Sequence, residues 1–421
     1  MFKTPFWNFM NTSKKNISLF LVLLVAFIDY MGIGLVYPMF SSLVFHAEFT
    51  LLPAGTSNSI RGFYLGILLA AMPILQFFSA PILGALSDQR GRKSVLTMSL
   101  LLGVLGYALS FFSIISQNIY FLIFSRVLVG VSAGSAAVVA AAIADVSTST
   151  TKARNYGFYG MACGVGFTVG PFLGGILSEV SILGLKGFSL PFLLSGIITL
   201  MNLTLVFFLF YETHFKWIKQ KLNFNMALTN VKKAFHMPEI RGLILCVFVF
   251  SFGWSFFYEF APVTWIADYH ISASTLGMLY AFAAFFYAIS SGFLIKPVVN
   301  RFSEYKVLFY GLLATGAYIL ILLIKPSLFW LWIYLPLLNF LVSLLFPTST
   351  AMVSNLAGES RQGEILGILQ SMQSAAFALS PLTSGALVGL SINMPIIVGG
   401  LCMFIAAGVL VKFLKGKIFL N

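Results

Sequence analysis

Apolar stretches of about 20 residues recur twelve times along the chain, with short polar intervals between them. Their limits fall near 17–40, 61–83, 94–114, 119–144, 155–179, 189–211, 241–265, 274–297, 305–324, 328–354, 365–389 and 393–414. Each is long enough to cross a hydrocarbon layer of about 30 Å as a helix. The period-two alternation of an outer-membrane barrel is absent. The pattern predicts an all-α polytopic membrane protein with twelve transmembrane helices. The longest polar interval, about 212–240, lies between spans six and seven. It holds Glu212, Lys216, Lys219, Lys221, Lys232 and Lys233. It divides the chain into an N-terminal six-helix half (1–211), a middle loop (212–240) and a C-terminal six-helix half (241–421).

The halves repeat. Gly157 lies fourteen residues before Pro171, and Gly367 lies fourteen before Pro381. The same offset of 210 carries Phe167 onto Phe377, Gly175 onto Gly385 and Asp145 onto Asn355. Two pseudo-symmetric halves with a substrate cavity between them near the midplane is an established transporter plan.

Composition agrees with the pattern. The 421 residues are 59% hydrophobic and 9% charged, which excludes a water-soluble domain of this size. The formal charge of +13 is spread over short loops rather than one basic face, so it reads as membrane orientation and not nucleic-acid binding. Segments on the N-terminal side of the membrane would hold 21 of the 25 Lys and Arg, the opposite loops only Arg61, Lys186 and Lys325. That bias places both termini in the cytoplasm. The run after Lys14 and Lys15 is too long for a signal peptide and reads as an uncleaved first span. Cys163, Cys246 and Cys402 lie inside apolar runs without metal spacing, so no metal site is expected.

One dense charge cluster stands out, Gly84-Ala85-Leu86-Ser87-Asp88-Gln89-Arg90-Gly91-Arg92-Lys93, as a tight turn between spans two and three. Gly84 and Gly91 allow a sharp turn or a close helix approach. Asp88 can pair with Arg90, Arg92 or Lys93. The bland reading is a positive anchor at the membrane surface. The spacing resembles the loop 2–3 signature of the major facilitator superfamily, G-x-L-[SA]-D-x-x-G-R-[RK], and matches every defined position. Within that superfamily the chain resembles the twelve-helix drug/proton antiporters of multidrug and tetracycline efflux. The first span has their D-x-x-G-x-G pattern at Asp29, Gly32 and Gly34, followed by Pro38. Span four carries an intramembrane Arg126 followed by Gly130. Span five has Gly157, Gly166, Gly170, Pro171, Gly174 and Gly175 in register with the antiporter motif that accompanies export.

Asp29 lies about twelve residues into its span, roughly 18 Å deep. It is either a proton carrier or a structural carboxylate satisfied by a neighbouring helix. Arg126 either tunes an acid, as the resemblance implies, or snorkels to the interface. Glu259 in span seven suits a cationic substrate or a second proton, or else faces an outer vestibule with Asp268 and His270. Tyr30, Gln76, Trp254, Tyr258, Gln370 and Gln373 are weaker cavity candidates, the amides serving equally well as inter-helix bonds. Family resemblance implies that Asp145 and Arg154 join Gly84, Asp88, Arg90, Gly91, Arg92 and Lys93 in a cytoplasmic gate. Local helix capping is the alternative.

No Walker A loop, nucleophile elbow or zinc pair occurs. The expectation is therefore not an enzyme but a secondary transporter in the bacterial inner membrane. It would be a monomer without a cofactor, using a proton gradient to export a small organic molecule by alternating access. A carrier of a siderophore, sugar or other metabolite on the same fold is the alternative. A non-transporting scaffold or receptor is a remote one, since it gains nothing from buried Asp29 and Arg126.

Overall fold

The computed structural model describes residues 5–45, 51–148, 151–181, 187–213, 225–324 and 327–419. Lys216, Lys219 and Lys221 of the middle loop, and Lys3, Lys186 and Lys325 of the charge balance, lie outside the described residues. Twelve described helical segments are long and apolar enough to cross a membrane. They run Asn16–Phe45, Asn58–Arg90, Arg92–Ile115, Ile119–Val146, Arg154–Glu179, Gly187–Leu209, Ile240–Tyr269, Ala273–Phe293, Glu304–Ile324, Leu328–Leu356, Ile365–Val388 and Met394–Phe413. All twelve expected spans are present, and the protein is a twelve-span membrane protein.

The turn between spans two and three is tighter than its sequence suggested. The helix of span two continues through Asp88 to Arg90, and the next helix starts at Arg92. Gly91 alone makes the reversal, at φ 90° and ψ 153°, where an L side chain is strained. Gly84 stays helical and faces Ala137 of span four. Span four is broken at Gly134, giving helices Ile119–Ala133 and Ser135–Val146. The break exposes carbonyls that hydrocarbon cannot satisfy, and span two supplies donors. Ser79 donates to the Gly130 carbonyl at 3.4 Å, and Gln76 to that of Ala133 at 3.3 Å. Gln76 thus serves as an inter-helix bond.

The chain forms two compact units. One comprises 1–37 and 75–226, the other 38–74 and 227–421. The first span changes unit at the Tyr37–Pro38 step, and the second just after Pro73.

In the first unit, span five closes on span one through small residues. A side chain added at Gly166 or Gly170 would meet the carbonyl oxygens of Phe27 and Met31 at 2.5 Å. Gly174 lies against Leu35, and Pro171 packs on Gly34. Pro171 sits inside an unbroken helix, Lys152–Glu179. At the other end of the same span, Gly157, Gly160 and Gly164 face open space. The second unit repeats the arrangement. Gly62 and Gly66 of span two meet Gly385 and Pro381 of span eleven, while Gly367 faces open space. Close backbone approach through small residues is how helices bind where lipid removes the hydrophobic driving force.

Overpacking a tight interface typically costs about 1–3 kcal/mol. Gly170→Leu should therefore lower the thermal unfolding midpoint of the detergent-purified protein. Gly157→Ala, at an open position of the same helix, should not.

Candidate functional site

Asp29 is half-buried on span one. The break at Gly134 turns the next residue, Ser135, towards it, and the Ser135 hydroxyl donates to Asp29 Oδ2 at 3.5 Å. Tyr30, Tyr159 and Cys163 lie within electrostatic reach and complete a polar cluster against span five. The Tyr30 ring meets Phe167 edge-on at 6.4 Å. A carboxyl group here has hydroxyls and a thiol around it.

Arg126 is 2% exposed, so it does not snorkel to the interface. Its helix starts at Asn118, whose Oδ1 caps the amides of Tyr120 and Phe121 at 2.9 and 3.2 Å. Arg126 therefore lies about 12 Å into the helix, eight residues past that cap. Tyr107 of span three is 5% exposed, and its hydroxyl lies where a side chain on Gly32 would be, 2.8 Å from that position. Gly32 is one turn beyond Asp29. Tyr107 stands in electrostatic reach of both Asp29 and Arg126. The close packing of Gly106 on Ser125 and Val129 brings spans three and four together at this level. A buried Tyr beside a small residue is too common in apolar spans to have been singled out from sequence.

In the second unit Glu259 is 7% exposed and accepts from the Ser255 hydroxyl at 2.9 Å. It lies well inside its helix, Pro238–Tyr269, whereas Asp268 and His270 mark the end of that helix. Tyr258 stacks on Trp254 at 5.1 Å and meets Tyr280 edge-on at 4.7 Å. The Tyr280 hydroxyl donates to the Tyr258 carbonyl. An acid beside an aromatic cluster is the chemistry that receives an organic cation. Gln370 is exposed and Gln373 half-buried on span eleven.

The loop 2–3 cluster is tightly built. The Arg92 side chain is 5% exposed and holds Asp88 at 2.6 Å and Asp145 at 2.9 Å. It also donates to Ser87 Oγ. Thr213 donates to Asp145 at 3.3 Å. Gly91 has no side chain with which to cap the following helix, and Glu212 does so instead. Its two oxygens accept the Arg92 and Lys93 amides at 2.9 and 3.1 Å. The signal for this role was a lone carboxylate at the end of span six, in Tyr211-Glu212-Thr213. Arg154 stands apart, its guanidinium 5.9 Å from the Phe158 ring centroid, and Arg90 is exposed. In the second unit Asn355, the repeat image of Asp145, donates to Glu304 at 3.3 Å. There the ion pair has become an amide on a carboxylate.

Among the described residues, no group of three or more His, Cys, Asp or Glu could hold a metal ion. A family model described as Major Facilitator Superfamily matches residues 19–263 and 243–417. The chain is 28% identical over 385 residues to tetracycline resistance protein class C of Escherichia coli, covering 90% of this chain and 91% of that protein. It is 29% identical over 391 residues to quinolone resistance protein NorA of Staphylococcus aureus, covering 90% and 92%. Among solved structures it resembles a D-xylose–proton symporter, with a TM-score of 0.76, 14% identity and coverage of 95% and 98%. It also resembles the human organic anion transporter MFSD10, with a TM-score of 0.68, 19% identity and coverage of 94% and 99%.

Removing one partner of a buried ion pair costs about 3–5 kcal/mol, because it leaves uncompensated charge. Arg92→Gln should therefore destabilise the protein strongly, by an amount towards the low end of that range since Asp88 and Asp145 are partly exposed. Arg92→Lys should recover only part of the loss, because an ammonium cannot reproduce the guanidinium fork. Denaturation in detergent, read by circular dichroism, checks both.

Proposed function

The chain belongs to the Major Facilitator Superfamily, and on that premise we propose that it exports a drug-like organic molecule from bacterial cells in exchange for protons. It is a transporter and not an enzyme. The observation that carries the reading is Asp29, an acid held among Ser135, Tyr30 and Tyr159 on a membrane span. In that setting its charged form loses hydration, so its proton occupancy depends on which side of the membrane it faces. Protonation from outside leaves a neutral carboxyl group that can reorient through the membrane. Substrate arriving from the cytoplasm favours release of that proton. Arg126 supplies a fixed positive charge in the same unit, and Tyr107 is in electrostatic reach of both it and Asp29.

The names of the relatives support a drug-like cargo, and the span-five glycine–proline motif favours export over import. Glu259 with Trp254 and Tyr258 would then receive a cationic portion of the substrate. The Arg92, Asp88 and Asp145 cluster would close one side of the pathway and part when that side opens. In this reading both termini are cytoplasmic, the protein works as a monomer, no nucleic acid is bound, and the proton gradient takes the place of a cofactor.

The test is proton release from detergent-purified protein on adding tetracyclines, quinolones or lipophilic cations. Wild type should release protons and Asp29→Asn should not, while still binding the ligand. Binding without any release in wild type would overturn proton antiport. Glu259→Gln should weaken cationic substrates more than neutral ones, as read by ligand binding to the same preparation. An equal effect on both would remove Glu259 from substrate choice.

A further inference from the structure

Span twelve packs antiparallel on span seven. Gly253 lies against Cys402, and the Phe413 ring lies on Gly242. At this end two cations converge on one ring. The Arg241 guanidinium is 5.7 Å from the Phe413 ring centroid, and the Lys412 ammonium is 5.9 Å from it. All three side chains are exposed. Both cations thus lie against the same ring. The helix Pro238–Tyr269 begins three residues before Arg241 and adds the partial positive charge of its N-terminus.

The depth of these groups is set by the spans. Arg241 is three residues past the start of its helix, Pro238–Tyr269, and Lys412 is the first charged residue after the apolar run that begins at Met394. Both therefore stand at the boundary between hydrocarbon and headgroups, where long basic side chains reach outwards. A short helix, Met226–His236, precedes span seven. It docks by Ala227 and Ala234, which are buried, and Asn230 donates to Ser371. Leu228 and Phe235, seven residues apart and so on one face, remain 44% and 47% exposed. Lys232 is exposed beside them. An uncovered apolar ridge flanked by Lys is the pattern of a helix lying in a membrane interface.

We propose that Arg241 and Lys412, over Phe413, form a seat for the headgroup of an anionic phospholipid, with Met226–His236 resting in the same leaflet beside it. The phosphate pairs with the two cations, and the glycerol and upper acyl chain cover Phe413. This seat is independent of cargo and of proton coupling.

The test uses the full-length chain, purified and delipidated, titrated with phosphatidylglycerol and followed by native mass spectrometry. Phosphatidylcholine and inorganic phosphate serve as comparison probes. Phosphatidylglycerol should bind wild type more tightly than phosphatidylcholine does, and inorganic phosphate should not displace it. Affinity should fall about fivefold for each charge removed, in Lys412→Gln and again in Arg241→Gln/Lys412→Gln. Arg301→Gln/Lys306→Gln, which changes cations elsewhere, should bind as wild type does. If the double variant fails to fold, by gel filtration, the single Lys412→Gln variant decides. Equal binding of the two lipids, an unchanged Lys412→Gln affinity, or displacement by inorganic phosphate would each overturn the proposal.

Discussion

Hydrocarbon offers a polypeptide no hydrogen-bond partner, so each polar group within a span must find one inside the protein. This constraint explains why the described spans are helical. It also explains how span four is interrupted. The break at Gly134 is tolerated because Ser79 and Gln76 of span two take up carbonyls at the break. Ser135, just past the break, then has its hydroxyl available for Asp29. A departure from regular structure, repaired from a neighbouring helix, is what gives the acid a polar partner.

The same constraint decides how helices meet. Lipid is as apolar as leucine, so close backbone approach replaces hydrophobic burial as the source of cohesion. Span five on span one, and span eleven on span two, use glycine and proline at the contact and leave the other end of the helix facing open space. The two seams lie in different units, yet each pairs a repeat-related helix with one of the first two spans. Internal duplication carries over the packing but not the chemistry, since Asp145 on Arg92 becomes Asn355 on Glu304. The stronger electrostatic bond lies in the unit that also holds Asp29 and Arg126.

The charges divide by depth. Arg92, shared between two carboxylates, and Glu212, capping a helix start, lie at helix ends. They fasten helix ends, and breaking them exposes unsatisfied groups. Asp29 and Arg126 lie deeper, with Tyr107 in reach of both. Charge at that depth is costly in a purely structural role, which is why these residues bear the functional reading.

By itself, the sequence determined the number of spans and the family. Span length and residue spacing are local properties, and the medium permits one regular backbone solution. It also identified Asp29, Arg126 and the Arg92 cluster, because a charge is conspicuous in an apolar chain. Tyr107 and Glu212 were not legible, since their roles depend on groups of other helices, Asp29 and Arg126 for Tyr107 and the amides of Arg92 and Lys93 for Glu212. The assignment of Gln76 to inter-helix bonding was likewise decided only in three dimensions. The register in which helices pack determines which side chains meet, and that register is set by the summed fit of small residues along whole helices rather than by any local motif.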